Sequence, residues 1–564
     1  MGALVVLTGL AGGMGCALVD RWRPTTLWNT GRARPEADLR AWIEADAHFA
    51  DGVLRELQGD LPAAMQAFRR ALSAAPDDEE LAREVARRFL RYAEPAQALA
   101  VLQPFAETSA SAELHLLRAE VCAQLNRRQD ALAALKTARR LGATPASVLP
   151  RLGLVLQQSA DPKTAPELLD ILKDLMTASD ADSETLLVLA DWYNRLAALS
   201  PQERPHTTAQ LQALAERVAA QNPDAPEQQF GLAELFLRTG QVESALSWYE
   251  RALQRIPSQA PLRRLTLARM ADLYLQSSRP QQATGPLQAL LELDPTNLQA
   301  HFVLGNLALE DHRHAEAAES YRRVLALNPK FEPAYYNLAQ ALLALDRPGD
   351  ALAVLQTARE NIGQTFLLEY LSGLACSQRR DYSAARQHFI AAEIIAKAAD
   401  TNRLTAPLYF QLGVAAERTG DFEAAVRHFE TCLRLDPNFH PAQNYLGYMW
   451  AERGLNLEQA RQLIEKAVAA DPRNSAYLDS MAWVLFQLGR PEEALPWMER
   501  ALEHMDEPDA TLYDHFGDIL AALGRLAEAR QAWQRALELE PENQAIRKKL
   551  EAPSQKQAGS PEAP

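Results

Sequence analysis

The sequence is short of the features that mark most enzymes and most nucleic-acid binders. Four cysteines in 564 residues are too few for a disulfide framework. Positive charge is in deficit: 58 Lys and Arg stand against 73 Asp and Glu, a formal net charge of −15. A phosphate-backbone partner demands clustered positive charge, so no nucleic acid is expected. Strand-favouring clusters are scarce, and there is no Gly-rich loop of the kind that cradles phosphate. The apolar run Ala3–Ala11 is too short to span a bilayer.

What is present is helix-forming and repetitive. Hydrophobic residues make up 48% of the chain and charged residues 23%, which is globular rather than disordered. Ala, Leu, Gln, Glu and Arg dominate, so helix is the expectation. One core would not hold a chain of this length. An alanine recurs at Ala64, Ala98, Ala131, Ala165, Ala245, Ala283, Ala317, Ala351, Ala385, Ala425, Ala460, Ala494 and Ala529. Most gaps are 33 to 35 residues, the period of stacked helix pairs in which each unit packs only on its neighbours.

The unit is clearest over 406–437, with Tyr409, Leu412 and Gly413, then Gly420, Ala425, Phe429, Cys432 and Pro437. Residues 510–541 repeat it with Tyr513, Phe516, Gly517, Leu520, Gly524, Ala529, Trp533, Ala536 and Pro541. Apolar residues recur at three- and four-residue steps in each half, so each half is an amphipathic helix. Gly413 and Ala425 let two helices cross closely. Gly420 can take a left-handed cap, and Pro437 stops the second helix. Cys122, Cys376 and Cys432 fall at small packing positions and read as buried thiols.

This spacing resembles the tetratricopeptide repeat (TPR) family over about 45–550. The resemblance implies an all-α TPR solenoid, a right-handed superhelix of about 14 helix-turn-helix repeats. Units begin near 45, 79, 112, 146, 183, 226, 264, 298, 332, 366, 406, 440, 475 and 510. The expected organisation is a signal-like segment 1–16, a linker and helix 17–44, a degenerate array 45–222, a regular array 226–550 and a disordered tail 551–564. Pro162 and Pro166 disturb the fourth unit, and the breaker-rich run Leu199–His206 lengthens the fifth. A second insertion falls around Lys397–Arg403. The closing helix, with Arg547, Lys548 and Lys549, is expected to be a solvated cap.

At the amino terminus, Gly12-Gly13-Met14-Gly15-Cys16 follows the apolar run. A cysteine after small residues resembles a bacterial lipoprotein cleavage site, which implies lipidation at Cys16. Ala17 in place of aspartate implies, by the same resemblance, the periplasmic face of the outer membrane. Two departures stand against it: Gly13 where leucine is usual, and no Lys or Arg before the apolar run. The alternative is an amino-terminal helix with an incidental cysteine.

No catalytic constellation emerges, and no cofactor or metal is expected. His312 and His314 flank Arg313 without the carboxylate or cysteine spacing that would complete a metal site. Asp479 and Ser480 with His515 invite comparison with a catalytic triad, but no strained elbow presents the serine. A polar cluster on a helix surface is the plainer reading.

Binding remains. In the TPR family the first helix of each unit lines the concave face. That places Asn444 and Tyr448, then Asp479, Trp483 and Phe486, then Asp514 and Asp518 on it; earlier units place Phe302, Asn306, Tyr336 and Gln340 there. Aromatic, amide and acid groups together suit an extended peptide or a partner helix. The alternative is that the aromatics pack neighbouring units. The block Asn444-Tyr445-Leu446-Gly447-Tyr448, Asp479-Ser480-Met481-Ala482-Trp483 and His515-Phe516-Gly517-Asp518 is similar to large TPR lipoproteins of the Gram-negative outer membrane. One type in that family is an adaptor for a periplasmic carboxyl-terminal processing protease. The expectation is a non-catalytic scaffold that binds protein or peptide partners, a periplasmic protease or an envelope-assembly factor among them. The alternative is a cytoplasmic TPR module in a regulatory or glycosylation-associated complex.

Overall fold

The computed structural model describes residues 36–158, 165–200 and 203–551. Cys16, Pro162 and the tail after Glu551 lie outside the described residues. Among the described residues there are 29 α-helices and no strand. They form fourteen antiparallel pairs and a closing helix, Gln544–Glu551. The first helices of the pairs begin at Glu36, Glu79, Ala112, Pro145, Ser183, Pro226, Pro261, Leu298, Glu332, Phe366, Ala406, His440, Ser475 and Ala510. The architecture is a TPR solenoid. The described residues divide into two compact units, one ending at Leu273 and the other beginning at Tyr274.

The recurring alanine does what its spacing implies. All thirteen copies are 0% exposed, because each lies where the second helix crosses the first. A second contact completes that crossing. In five pairs a glycine of the first helix faces a ring sixteen residues later: Gly52 with Phe68, Gly305 with Tyr321, Gly373 with Phe389, Gly413 with Phe429, and Gly517 with Trp533. The fifth pair departs from this pattern. There Leu211 takes the alanine position and Ala215 the ring position, so the bulk moves rather than vanishes, and both are buried. Large and small partners can exchange places when total volume is conserved.

The turns are set by local chemistry. Asn297, Asp421 and Asn474 cap first turns, accepting backbone N–H at 3.0, 3.1 and 3.2 Å. Gly420 leaves the first helix at φ +82°, the left-handed cap expected of it. His312, Asp346 and Arg380 hold the same left-handed position in other pairs, at φ 57°, 54° and 61°. His312 is thus a helix-ending residue, and its ring lies 5.8 Å from that of His314. Between pairs, a side chain six residues on ties back to the carbonyl of the turn. Gln443 Nε2 donates to Pro437 O at 2.7 Å, Tyr335 Oη to Pro329 O at 2.9 Å and Gln229 Nε2 to Pro223 O at 3.0 Å. These bonds satisfy carbonyls that would otherwise lie unpaired at the junctions.

The insertions are absorbed locally. In the fifth pair, Ser183–Ala197 is followed by Arg204–Ala220, with Pro205 in its first turn where a missing N–H costs nothing. Glu203 from the insertion accepts from Lys173 Nζ at 2.6 Å and from Tyr193 Oη at 3.1 Å. In the tenth pair the second helix extends to 18 residues, Tyr382–Ala399, and ends in a 3₁₀ turn at Thr401–Arg403. Ile390 and Ile394 lie on the exposed face of that helix. Cys122, Cys376 and Cys432 are buried free thiols.

Candidate partner-binding surface

At many junctions first helices of consecutive pairs touch one another, as His440–Glu452 touches Ser475–Gln487 and Ser475–Gln487 touches Ala510–Ala522. Consecutive second helices rarely do. The first helices are therefore the crowded layer, and the side chains between them form the surface expected to meet a partner.

At the carboxy-terminal end this layer is a connected aromatic and acidic cluster. Trp483 stacks on His515, with ring centroids 3.9 Å apart and planes 15° apart, and on Phe486 at 5.1 Å. Tyr448 lies 6.2 Å from His515. Asp479 Oδ1 accepts from His515 Nδ1 at 2.8 Å. Burial by itself would lower the His515 pKa; the Asp479 carboxylate, with Asp514 and Asp518 beyond it, holds it above the usual histidine value. Burial pushes the Tyr448 phenol up, and Asp479, Glu452, Asp509 and Glu417 push it further.

Asp479 and His515 are only 5% and 6% exposed. The cluster read as a helix-surface feature is interior. Ser480 stays outside it, donating to Ala476 O at 2.8 Å in its own helix. The three residues do not assemble into a nucleophile and its base. What sequence reasoning missed is that Asp479 and His515, 36 residues apart, stand about one repeat apart and so face each other across adjacent first helices.

Asn444 is half-buried, and its Oδ1 has no hydrogen-bond partner in the protein; neither has Trp483 Nε1. Asp514 and Asp518 are engaged by the closing helix: Lys549 Nζ reaches them at 2.7 and 2.6 Å, and Trp533 Nε1 donates to Asp518 at 3.0 Å. Lys549 is thus a clamp across the end of the layer rather than a solvated cap residue. Burial raises the Asp518 pKa, and Lys549 opposes the rise.

Three of the four earlier candidates pack within and between pairs. Phe302 meets Phe331 edge-on at 5.0 Å and Tyr321 at 6.0 Å. Asn306 Oδ1 accepts from Tyr321 Oη at 2.8 Å and from Asn337 Nδ2 at 3.0 Å. Tyr336 is buried and bonds Glu332 and Thr365 at 2.7 and 2.6 Å. Gln340 is exposed.

A tetratricopeptide repeat profile matches residues 265–542, and a second profile of the same description matches 39–79 and 211–260. Together they cover most of the chain and fall on its helix pairs. The chain belongs to the tetratricopeptide repeat family. This TPR protein is similar to TPR repeat-containing protein PA4667 of Pseudomonas aeruginosa, 28% identical over 219 residues, 39% of this chain and 36% of that one. It is also similar to BBSome complex member BBS4 of Bos taurus, 26% identical over 274 residues, 47% of this chain and 51% of that one. The TPR protein therefore spans about a third to a half of the length of these relatives. Among solved structures it is similar to the APC/C hetero-tetramer Cut9-Hcn1, at TM-score 0.38 and 14% identity over 90% of this chain and 96% of that one. YrrB, a TPR protein with an unusual peptide-binding site, aligns at TM-score 0.30 and 21% identity over 37% of this chain and 100% of its own.

Proposed function

We propose that this TPR protein is a non-catalytic scaffold that holds an extended peptide or a helix of a protein partner. The partner lies along the first helices of the last three pairs. The observation that carries this reading is the pair of unsatisfied atoms there, Asn444 Oδ1 and Trp483 Nε1. A buried polar atom without a partner costs about 1–3 kcal/mol. One acceptor and one donor suit a peptide group, which offers N–H and C=O together. Tyr448 and Phe486 supply apolar area beside them.

The proposal extends to place. Cys16 is the lipidated residue, the chain is held at the periplasmic face of the outer membrane, and its partner is a protease or an envelope-assembly factor. The small residues before Cys16 and the 440–540 block support this. The competing reading is a cytoplasmic interaction module. A periplasmic reporter fused after Cys16 is active under the first and silent under the second. For the surface itself, Trp483→Phe keeps a ring in the stack and removes the N–H. Capture of partners from detergent-solubilised envelopes should fall severalfold with the melting temperature unchanged or raised, because that N–H makes no bond in the free protein and its loss removes an unpaired buried donor. Unchanged capture would sink the proposal.

A further inference from the structure

The amino-terminal unit carries a cleft with a different chemistry. It has a volume of about 620 Å³ and lies among the first helices of the second, third and fourth pairs, Glu79–Arg91, Ala112–Gln124 and Pro145–Gln158. Leu116 and Leu117 are its buried apolar floor. Arg87, Arg91 and Arg151 stand around it, together with Glu113 and Glu120. In a chain of net charge −15, three guanidiniums against two carboxylates leave this cleft a small excess of positive charge.

The arginines are arranged as a row. Arg83, Arg87 and Arg91 recur every fourth residue, so they share a helix face with steps of about 6 Å. The protein itself shows how the row holds carboxylates. Glu113, 67% exposed, is gripped by Arg83 at 2.6 Å and reached by Arg87 at 3.5 Å. Glu56 lies between Arg88 at 3.2 Å and Arg91 at 3.1 Å. On the opposite wall, Arg151 meets Glu120 at 3.4 Å. Arg87 is also paired with Glu84, and Arg151 Nη1 donates to Ser147 O at 3.1 Å. A guanidinium has five N–H donors, so donors still remain on Arg87, Arg91 and Arg151. Arg83 Nε has no partner at all.

We infer that this cleft binds an extended acidic peptide segment of a partner protein, with carboxylates at alternate residues. Side chains on one face of an extended chain repeat every two residues, about 6.6–6.8 Å, close to the step of the arginine row. Planar guanidiniums take carboxylates in two-point hydrogen bonds, and the leucine floor accepts the apolar atoms between them. The inference stands apart from the carboxy-terminal surface and from any membrane location.

Fluorescence anisotropy with the full chain tests it, using a labelled peptide that alternates glutamate and serine. Binding should saturate, weaken as salt is raised, and exceed that of the glutamine–serine counterpart by about tenfold. Arg91→Gln with Arg151→Gln should weaken it by about tenfold, roughly 1.4 kcal/mol, with circular dichroism and melting unchanged. Glu113→Gln removes the internal competitor for Arg83 and Arg87 and should tighten binding severalfold, a gain that misfolding would not produce. Equal binding of the glutamine peptide, full binding by the double arginine variant, or no tightening in Glu113→Gln overturns the inference. So does a peptide affinity no better than that of inorganic phosphate, which would make the cleft a small-anion site.

Discussion

Gly413 lies flat against the ring of Phe429: a Cβ at that position would come within 2.6 Å of the ring. Glycine is there for space, since its helical backbone would accept any residue. Gly413→Ala gains up to about 1 kcal/mol of helix propensity but forces a fully buried ring to move, at about 1–3 kcal/mol. The net expectation is a loss of up to roughly 2 kcal/mol in urea unfolding. Gly413→Ala combined with Phe429→Leu should recover part of that loss.

The left-handed turn positions give the opposite sign. Arg380 ends its helix at φ 61° where Gly420 ends another at φ +82°. A non-glycine residue there bears a conformational cost that glycine avoids. Arg380→Gly should raise stability by up to about 1 kcal/mol, read as a higher denaturation midpoint with an unchanged slope. An unchanged or lower midpoint would show that the Arg380 side chain matters more than its backbone.

The Asp479–His515 pair sets a pH dependence. The folded pKa of His515 lies above its unfolded value, so its contribution is whole below the ordinary histidine pKa near 6.5 and fades as pH rises through the folded value. His515→Gln should therefore cost more stability at pH 6 than at pH 9, about 1–3 kcal/mol at the acid end. Asp479→Asn should flatten this dependence. Equal losses at both pH values would mean that His515 acts through packing alone.

Lys549 joins two carboxylates that would otherwise face each other. Lys549→Ala should destabilise the last pair by about 1–3 kcal/mol at neutral pH. Burial raises the Asp518 pKa, so Asp518 takes up its proton at a higher pH in the folded chain than in the unfolded one. The deficit should therefore shrink as pH falls toward about 4. Hydrogen exchange of the backbone amides in Ala510–Ala522 measures it where it occurs.

The helix pairs were legible because the constraint that builds them is local and repeats. An alanine every 34 residues or so can be seen in a string of letters, and each of those alanines is buried. The exchange of Leu211 and Ala215 was not legible, because it conserves volume across a contact rather than identity at a position. The same limit hid the interior placement of Asp479: burial depends on the neighbouring pair, and only its one-repeat distance to His515 hinted at the contact. The bonds to Pro437 O and Pro329 O use Gln443 and Tyr335, two residue types with no common letter. For the candidate surface, the repeat register put the right residues on the first helices. Which of their atoms lack partners, as at Asn444 and Trp483, is set by the packing of neighbouring helices and leaves no mark in the repeat.

The glycine–ring contact spans sixteen residues and closes inside a single pair in all five of its occurrences. Each such joint therefore lies inside one pair, like a course of brick, although its ring can also meet the next course, as Phe429 meets Tyr445 at 5.3 Å. Cuts or grafts made at the proline turns leave these joints untouched, while cuts within a pair sever them. Lengthening or shortening this chain is thus a matter of counting courses, and a recombinant junction belongs beside Pro329 or Pro437 rather than beside Gly420.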